Sequence, residues 1–231
     1  MEERLNKWLS RMGVCSRREA DRLISEGKVL VDGKTAQMGQ RIEDGQKVIC
    51  DGKPVGDADG GRGEVKPPRP VLLAVNKPRG IVCTTSDKDR AENIVEMLSY
   101  PERIYPVGRL DKESEGLILM TNQGELANEI MHAGNFHEKE YLVTVDQPFN
   151  AAFLKKMREG VELKELGVTT RPCQVEATGV KSFKIILTQG LNRQIRRMCA
   201  ELGYRVVTLK RIRIMNIHLG KLNTGDFRRV T

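Results

Sequence analysis

Apolar residues near the N-terminus recur with the spacing of amphipathic helices. In the first such segment they fall three and four residues apart, on one helical face: Leu5, Trp8, Leu9 and Met12. Ser16 followed by Glu19 is a capping-box pattern that begins a second helix, and Gly27 ends it. Short strands are predicted at 28–31 and 47–50, beside Asp-Gly turns. The pattern therefore predicts two helices packed against a small sheet.

A segment without packing signals follows. Between residues 51 and 70, nine of 20 positions are Gly or Pro and few are apolar. Such a composition buries too little surface to offset its conformational entropy. The sequence therefore predicts a domain at 1–51, a flexible linker at 52–70 and a second domain at 71–231.

Strand and helix patterns alternate irregularly in the second domain. Strands are predicted at 71–76, 116–121, 141–145 and 182–188, and helices at 125–131, 152–158 and 192–202. This order lacks regular β-α-β spacing, so an α+β fold is predicted rather than a Rossmann fold. The sequence contains neither G-x-G-x-x-G nor G-K-[ST], so no nucleotide cofactor is expected.

The amino-acid composition indicates a polyanionic partner. The chain has 39 Lys and Arg against 31 Asp and Glu, a net charge of +8. Its longest apolar run, 71–75, is too short to span a bilayer, and no signal peptide is expected. Five Cys without a C-x-x-C pair and three His without ligand spacing indicate a cytoplasmic protein with reduced thiols and no metal site.

The predicted helix at 192–202 has one apolar and one cationic face. Its apolar stripe consists of Ile195, Met198, Cys199 and Leu202. Arg193, Arg196 and Arg197 gather on the opposite side. Residues 191–213 hold seven basic residues and one acidic residue, which is typical of a surface that binds a phosphate backbone.

Two other clusters carry candidate chemistry. Arg17 and Arg18 lie in the first turn of the second helix, where the helix dipole disfavours cations, so they are either phosphate ligands or solvated side chains. Asp111 lies between Arg109 and Lys112, in a loop before a strand. The residues alone leave three interpretations of Asp111 open: a catalytic carboxylate, a turn carboxylate and a structural ion pair.

Both domains resemble known families. Residues 4–51, with LNKWLSRMGVCSRREADRLISEGKVLVDGK, resemble an S4 domain, a small RNA-binding module. Residues 71–230 resemble a pseudouridine synthase of the kind that modifies small and large ribosomal RNA, most similar to the F-type enzymes that act on a stem-loop of 23S rRNA. Four segments carry this resemblance in order: Asn76-Lys77-Pro78-Arg79-Gly80, 108–117, Glu138-Lys139-Glu140-Tyr141 and 190–198. One departure is Ser114, where the family often has Thr; the hydroxyl group is retained.

The resemblance implies a fold and a catalytic site. The fold is a small S4-like α/β domain linked to a catalytic domain with a central mixed, mainly antiparallel sheet flanked by helices. Asp111 is implied as the essential carboxylate, acting either as nucleophile or as base, and Arg196 as its pairing arginine. Tyr141 is implied as the ring against the detached uracil, although its pattern also fits an aromatic residue of a buried strand.

The implied activity is isomerisation of a specific uridine of ribosomal RNA to pseudouridine, after the nucleotide flips out of its helix. This reaction needs no cofactor, and a monomer is expected. RNA contacts are expected from Arg17, Arg18, Lys77, Arg109, Arg193 and Arg197. The alternative is a non-catalytic RNA-binding or ribosome-assembly protein. DNA binding is disfavoured, because no helix-turn-helix, zinc-finger or basic-zipper pattern occurs.

Overall fold

The computed structural model describes residues 2–56, 68–84 and 92–230. The chain divides into two compact units. The first unit consists of Met1–Pro70 with the short segments Pro101–Arg103 and Asn122–Gly124, and the second unit contains the remaining residues. Within the described ranges, no helix is long and apolar enough to cross a membrane.

The first unit packs two helices against short strands. Its elements are β1 (Glu3–Arg4), α1 (Leu5–Arg11), α2 (Arg17–Ser25), β2 (Val29–Val31), β3 (Lys34–Thr35), β4 (Arg41–Ile42), β5 (Val48–Cys50) and β6 (Lys53–Val55). Four strands form an antiparallel sheet in the order β3-β2-β5-β6, and β1 pairs with β4. The Ser16 side chain accepts a hydrogen bond from the Glu19 backbone N–H (3.1 Å) and so caps α2. The Glu19 carboxylate pairs with Arg22 instead of completing the predicted capping box. Gly27 follows α2 with a φ of +70°.

Strand β6 contradicts part of the predicted linker. The sequence predicts no packed element from residue 52 onward, but residues 53–55 pair with β5 and Val55 is buried. Pro54 is tolerated because β6 is an edge strand, where a missing N–H removes no ladder bond. The prediction that the linker begins at residue 52 is therefore wrong. Its central part, 57–67, lies outside the described residues.

The rest of the chain builds one large sheet, a separate two-stranded sheet of Glu162–Leu163 and Val168–Thr169, and helices. The strands are β7 (Leu72–Lys77), β8 (Tyr105–Val107), β9 (Glu115–Thr121), β10 (Lys139–Val145), β11 (Glu162–Leu163), β12 (Val168–Thr169), β13 (Gln174–Ala177), β14 (Ser182–Leu187), β15 (Val206–Ile214), β16 (Ile217–His218) and β17 (Phe227–Arg229). The helices are α3 (Ile94–Leu98), α4 (Gly124–Met131), α5 (Ala151–Glu159) and α6 (Gln194–Glu201), with 3-10 turns at Ala133–Asn135 and Lys164–Leu166.

The large sheet is mixed and mainly antiparallel, so this prediction is confirmed. Its main path runs β13-β14-β10-β15-β9-β7-β17, with β8 beside β9 and β16 beside β15. Only the β15–β9 pair is parallel among the described strands. The predicted strands and helices all appear within a few residues of their expected bounds. Strand β15 is the longest element of the sheet and has no counterpart in the sequence prediction.

The central strands are covered on both faces. In β9, Ile118 belongs to the larger apolar cluster of the second unit and Leu119 to a separate cluster. The parallel contact of β9 with β15 requires Gly116, which pairs with Arg211 and has a φ of +100°. A Cβ atom at this position would overlap the carbonyl oxygen of Arg211. The close approach of these two strands fixes the loop that precedes β9.

Candidate active site

A cleft of about 830 Å³ opens in the second unit, within the size range of ligand sites. It lies where the loop before β9, the start of β10, the N-terminus of α6 and the strand β15 come together. The polar and charged lining includes Asp111, Tyr141, Arg109, Arg193, Arg196 and Arg211. No group of three or more His, Cys, Asp or Glu residues that could hold a metal ion occurs in the described parts of the chain.

Asp111 faces two arginines from α6 and its N-cap. Its Oδ2 lies 3.7 Å from Arg193 Nη1 and 3.8 Å from Arg196 Nε. These are ion-pair distances rather than hydrogen bonds, so the attraction leaves the carboxylate oxygens free to bond elsewhere. The Asp111 side chain is 33% exposed and lines the cleft. The structure therefore brings together Asp111 and Arg196, which are remote in sequence.

The guanidinium of Arg196 is held by the loop that carries Asp111. Its Nη2 donates hydrogen bonds to Ser114 Oγ (3.1 Å) and to the carbonyl oxygen of Glu113 (3.2 Å). Ser114 is completely buried, and the Arg196 side chain is only 13% exposed. Burial, followed by the charge of Arg193, lowers the pKa of Arg196. The retained hydroxyl at position 114 thus orients the arginine that faces Asp111.

Tyr141 lines the same cleft from β10 and is largely buried. Its cross-strand partner in β15 is Arg211, whose Cζ lies over the ring, 6.0 Å from the ring centroid. The register of β10 and β15 is irregular between Glu140 and Tyr141. The irregularity places an extra residue in β15, as a β-bulge does beside many active sites.

Arg211 is a cleft residue that the sequence prediction missed. It is 4% exposed, and its Nε donates a hydrogen bond to the carbonyl oxygen of Leu117 (2.6 Å). In the sequence it belongs to a basic stretch that predicts phosphate binding at the surface. Its local signal is weak, because the bulge interrupts the two-residue alternation of β15.

The predicted RNA-contacting residues fall into separate groups. Arg109 and Arg193 are exposed and line the cleft. Arg197 lies outside the cleft lining, where its guanidinium pairs with the carboxylate of Glu165 and donates to the carbonyl oxygen of Asn192 (3.0 Å). Arg17 and Arg18 are exposed on α2 of the first unit. They form no ion pair with any residue that the structure describes.

Lys77 is not an RNA-contacting residue. Its side chain is fully buried at the end of β7, and its Nζ donates hydrogen bonds to the carbonyl oxygens of Pro78 and Ile81 (2.8 Å each). Burial lowers the pKa of Lys77. The buried ammonium group is hydrogen-bonded to the loop after β7 and is not accessible to RNA. The prediction that it contacts RNA is therefore wrong.

Comparison with known proteins gives consistent matches along the chain. The family model for RNA pseudouridylate synthase matches residues 71–201, and the S4 domain model matches residues 3–48. The chain is 47% identical over 232 residues to the dual-specificity RNA pseudouridine synthase RluF of Escherichia coli strain K12, covering 99% of this chain and 75% of the relative. It is 34% identical to the ribosomal large subunit pseudouridine synthase B of Bacillus subtilis, covering 99% and 92%.

A solved structure supports the same assignment. The crystal structure of a pseudouridylate synthase superposes with a TM-score of 0.70 at 26% sequence identity, covering 99% of this chain and 96% of that chain. The resemblance inferred from the motifs is therefore confirmed, and the alternative of a non-catalytic binding protein is not supported. With an S4 domain followed by this fold, the chain belongs to the RNA pseudouridylate synthase family and is an RNA pseudouridine synthase, an isomerase.

Proposed function

We propose that the protein isomerises one specific uridine in a stem-loop of 23S rRNA, and that Asp111 is the reacting carboxylate. The observation that carries the proposal is the position of Asp111, in a cleft of about 830 Å³ and facing two guanidinium groups. The choice of a ribosomal substrate rests on the name of the Bacillus subtilis relative, which acts on the large ribosomal subunit. We further propose that the enzyme is cytoplasmic and monomeric.

The reaction moves the sugar from N1 to C5 of the same uracil. The C1′–N1 bond breaks, the base turns, and a C1′–C5 bond forms; the hydrogen of C5 is lost to water and N1 gains one. Asp111 acts in one of two ways. It attacks C1′ and leaves again when C5 returns, or it takes a proton from C2′ to give a glycal and returns it. Both routes require a carboxylate oxygen that is free to reach the sugar.

The neighbours of Asp111 receive supporting roles. Arg196 orients the carboxylate and balances its charge, and Ser114 holds Arg196 through the 3.1 Å hydrogen bond. Tyr141 offers its ring to the detached uracil, because a flat apolar surface keeps the base in the cleft while it turns. These residues come from three separate elements, so the fold rather than the local sequence assembles the site.

RNA binding is assigned to cations around the cleft and in the first unit. A second groove, lined by Arg193, Arg196 and Arg205, offers a positively charged path for phosphates. Arg109 lies exposed at the cleft. In the first unit, Arg17 and Arg18 are exposed at the start of α2, so we assign residues 1–51 to a docking role. Catalysis is assigned to residues 71–231.

The test is release of tritium from RNA that carries [5-³H]uridine. The wild-type protein is expected to release label from rRNA that lacks the modification, and sequencing of pseudouridines in that RNA would identify the position. Comparison of 23S, 16S and tRNA substrates separates the ribosomal proposal from other RNA targets. Absence of release from every one of these RNAs contradicts the proposed function.

A further inference from the structure

Resting on the proposed function, we propose that Arg211 binds the uracil itself and stabilises the negative charge that the base carries once the C1′–N1 bond has broken. Arg211 lines the cleft with its guanidinium over the Tyr141 ring, and its buried Nη2 has no hydrogen-bond partner among the described residues.

The β-bulge explains why Arg211 points to the cleft. In a regular strand, Arg211 and Arg213 would share a face, because side chains alternate every two residues. Here Tyr141 lies opposite Arg211 while its neighbour Glu140 lies opposite Arg213, so Ile212 is the extra residue. Arg213 bonds to the carboxylate of Glu140 (2.6 Å), and Arg211 lines the cleft. The irregularity therefore separates a structural arginine from one that is available to a ligand.

The guanidinium of Arg211 is both fixed and incompletely bonded. The bond from Nε to the Leu117 carbonyl oxygen fixes its plane. Its Nη2 is buried and has no hydrogen-bond partner among the residues that the structure describes. A buried donor without a partner costs free energy, and the cost is recovered when a ligand supplies an acceptor. A carbonyl oxygen of a base held against Tyr141 is such an acceptor.

The surrounding charges favour an anion rather than a neutral ligand. Lys139 also lines the cleft, and its pKa is lowered by burial and then by the charge of Arg211, so the two cations lie near one another. Asp111 lies at ion-pair distance from Arg193 and Arg196. The carboxylates of Glu138 and Glu140 form ion pairs with Arg213. Arg211 therefore forms no ion pair with a carboxylate among the described residues.

The chemistry creates a matching anion. When the C1′–N1 bond breaks heterolytically, both electrons stay with N1, and the charge spreads to O2 and O4 of the uracil. The sugar carbon is taken by the Asp111 oxygen, or it forms the C1′=C2′ double bond as Asp111 accepts the C2′ proton. A hydrogen bond from Nη2 to O2 or O4 strengthens as this charge develops, so it lowers the barrier rather than only binding the substrate. Attack by C5 on C1′ then consumes the charge.

Matched substitutions test the role. Single-turnover rates at saturating enzyme and dissociation constants for the same rRNA are measured for Arg211→Lys, Arg211→Gln and, as control, Arg213→Lys. We expect Arg211→Gln to lower the rate about 100-fold or more, with the dissociation constant changed less than about threefold. Arg213→Lys retains a positive charge beside Glu138 and Glu140 and is expected to keep the wild-type rate. Circular dichroism and thermal unfolding verify the folded state, and Arg211→Lys provides the folded variant if Gln destabilises the strand.

Atomic substitution in the RNA identifies the contact. Replacing O2 or O4 of the target uracil by sulfur weakens one acceptor at a time. If Nη2 bonds to that oxygen, the rate loss caused by Arg211→Lys or Arg211→Gln shrinks about tenfold on the matching thio-substituted RNA. Equal rate losses on all three RNAs overturn the inference, as does a wild-type rate in both Arg211 variants, while the proposed function stands. A wild-type protein that converts no RNA overturns both proposals.

Discussion

Helix α6 and strand β15 are the two arginine-rich elements beside the cleft, and they use their arginines differently. Arg193 and Arg196 flank Asp111 from the start of α6, with side chains 44% and 13% exposed. In β15, Arg211 is nearly fully buried, and Arg213 is enclosed by Glu138 and Glu140. The N-cap Arg193 offers partly solvated charge to the Asp111 carboxylate, whereas Arg196, Arg211 and Arg213 are desolvated and held by fixed acceptors.

The difference indicates which arginines bind RNA and which shape the reaction. A solvated cation gains little from a single ion pair but attracts a polyanion over a long range. A buried cation costs several kcal/mol unless it is bonded, so it persists only where the fold or a ligand supplies partners. Arg213 has such partners, while Arg211 leaves one donor unused. Local partners, rather than the number of charges, therefore separate the roles of these two elements.

The largest loss of turnover is expected from changing Asp111, the carboxylate that faces the arginines of α6 and its N-cap. Asp111→Asn keeps the size of the side chain but removes the group that acts on the sugar. We expect turnover to fall by about 10⁴-fold or more, equivalent to about 5 kcal/mol of barrier, while RNA affinity changes less than about threefold. Tritium release and filter binding on the same RNA measure the two quantities. A variant that keeps a tenth of wild-type turnover would exclude Asp111 as the reacting group.

The next largest loss of rate is expected from only one of two neighbouring arginines of α6. Arg196 faces Asp111, whereas Arg197 pairs with Glu165 away from the cleft lining. Arg196→Met is expected to lower the single-turnover rate by about 10²- to 10³-fold, because the carboxylate loses its orientation and charge balance. Arg197→Met is the matched control and is expected to change that rate less than about threefold. Equal losses in both variants would show that α6 contributes only general positive charge.

Gly116 tests whether the contact between β9 and β15 fixes the strand that carries Arg211. Gly116→Ala places a Cβ against the Arg211 carbonyl in a left-handed conformation. We expect the free energy of unfolding to fall by about 2–4 kcal/mol. Gly190→Ala is the control, because a Cβ there has no neighbour within 4 Å. Denaturant unfolding measures both variants, and an unchanged midpoint for Gly116→Ala would contradict the close approach of the strands.

A smaller loss of activity is expected from changing Ser114, whose hydroxyl accepts a hydrogen bond from Arg196 of α6. Ser114→Ala leaves Arg196 without its side-chain acceptor, so we expect about a tenfold lower single-turnover rate and about 1 kcal/mol lower stability. Ser114→Thr retains the hydroxyl and is expected to keep most of the activity. Kinetics and thermal unfolding of the two variants are compared directly. Equal activity in the Ala and Thr variants would show that the hydroxyl does not position Arg196.

Helix α6 and strand β15 also differ in whether the sequence predicts them. Helical spacing in α6 correctly predicts that Ile195, Met198 and Cys199 are buried, because one helix is a local structure. The first-unit helices and the main antiparallel strands follow from similar local patterns. Strand β15 escapes prediction because two register irregularities break its alternation and its charged residues mask its apolar ones. Burial of such charges depends on partners from distant segments.

In the site, too, local sequence predicts part of the arrangement and long-range contacts determine the rest. Spacing alone leaves Asp111 as one of several kinds of carboxylate, and its link to Arg196 comes from the family resemblance. The long-range contact at 3.8 Å supplies the physical reason for that link. Residue type alone suggests that Lys77 contacts RNA, but its side chain is buried and its Nζ donates to the carbonyl oxygens of Pro78 and Ile81. Charge predicts a partner well only when the side chain remains exposed.

Exposed arginines of the first unit provide the smallest and most specific test of this distinction. Arg17 and Arg18 form no ion pair among the described residues, whereas Arg22 on the same helix pairs with Glu19 and Glu26. The double variant Arg17→Gln/Arg18→Gln is expected to weaken RNA binding several-fold and to lower the salt dependence, log Kd against log salt, by about 1.5 to 2. Arg22→Gln should leave that slope unchanged, because its charge is already compensated. Binding titrations at several salt concentrations measure the slopes, with the single-turnover rate at saturation expected to stay at the wild-type value. An unchanged slope in the double variant would show that α2 does not contact the phosphate backbone and would remove the docking role assigned to residues 1–51.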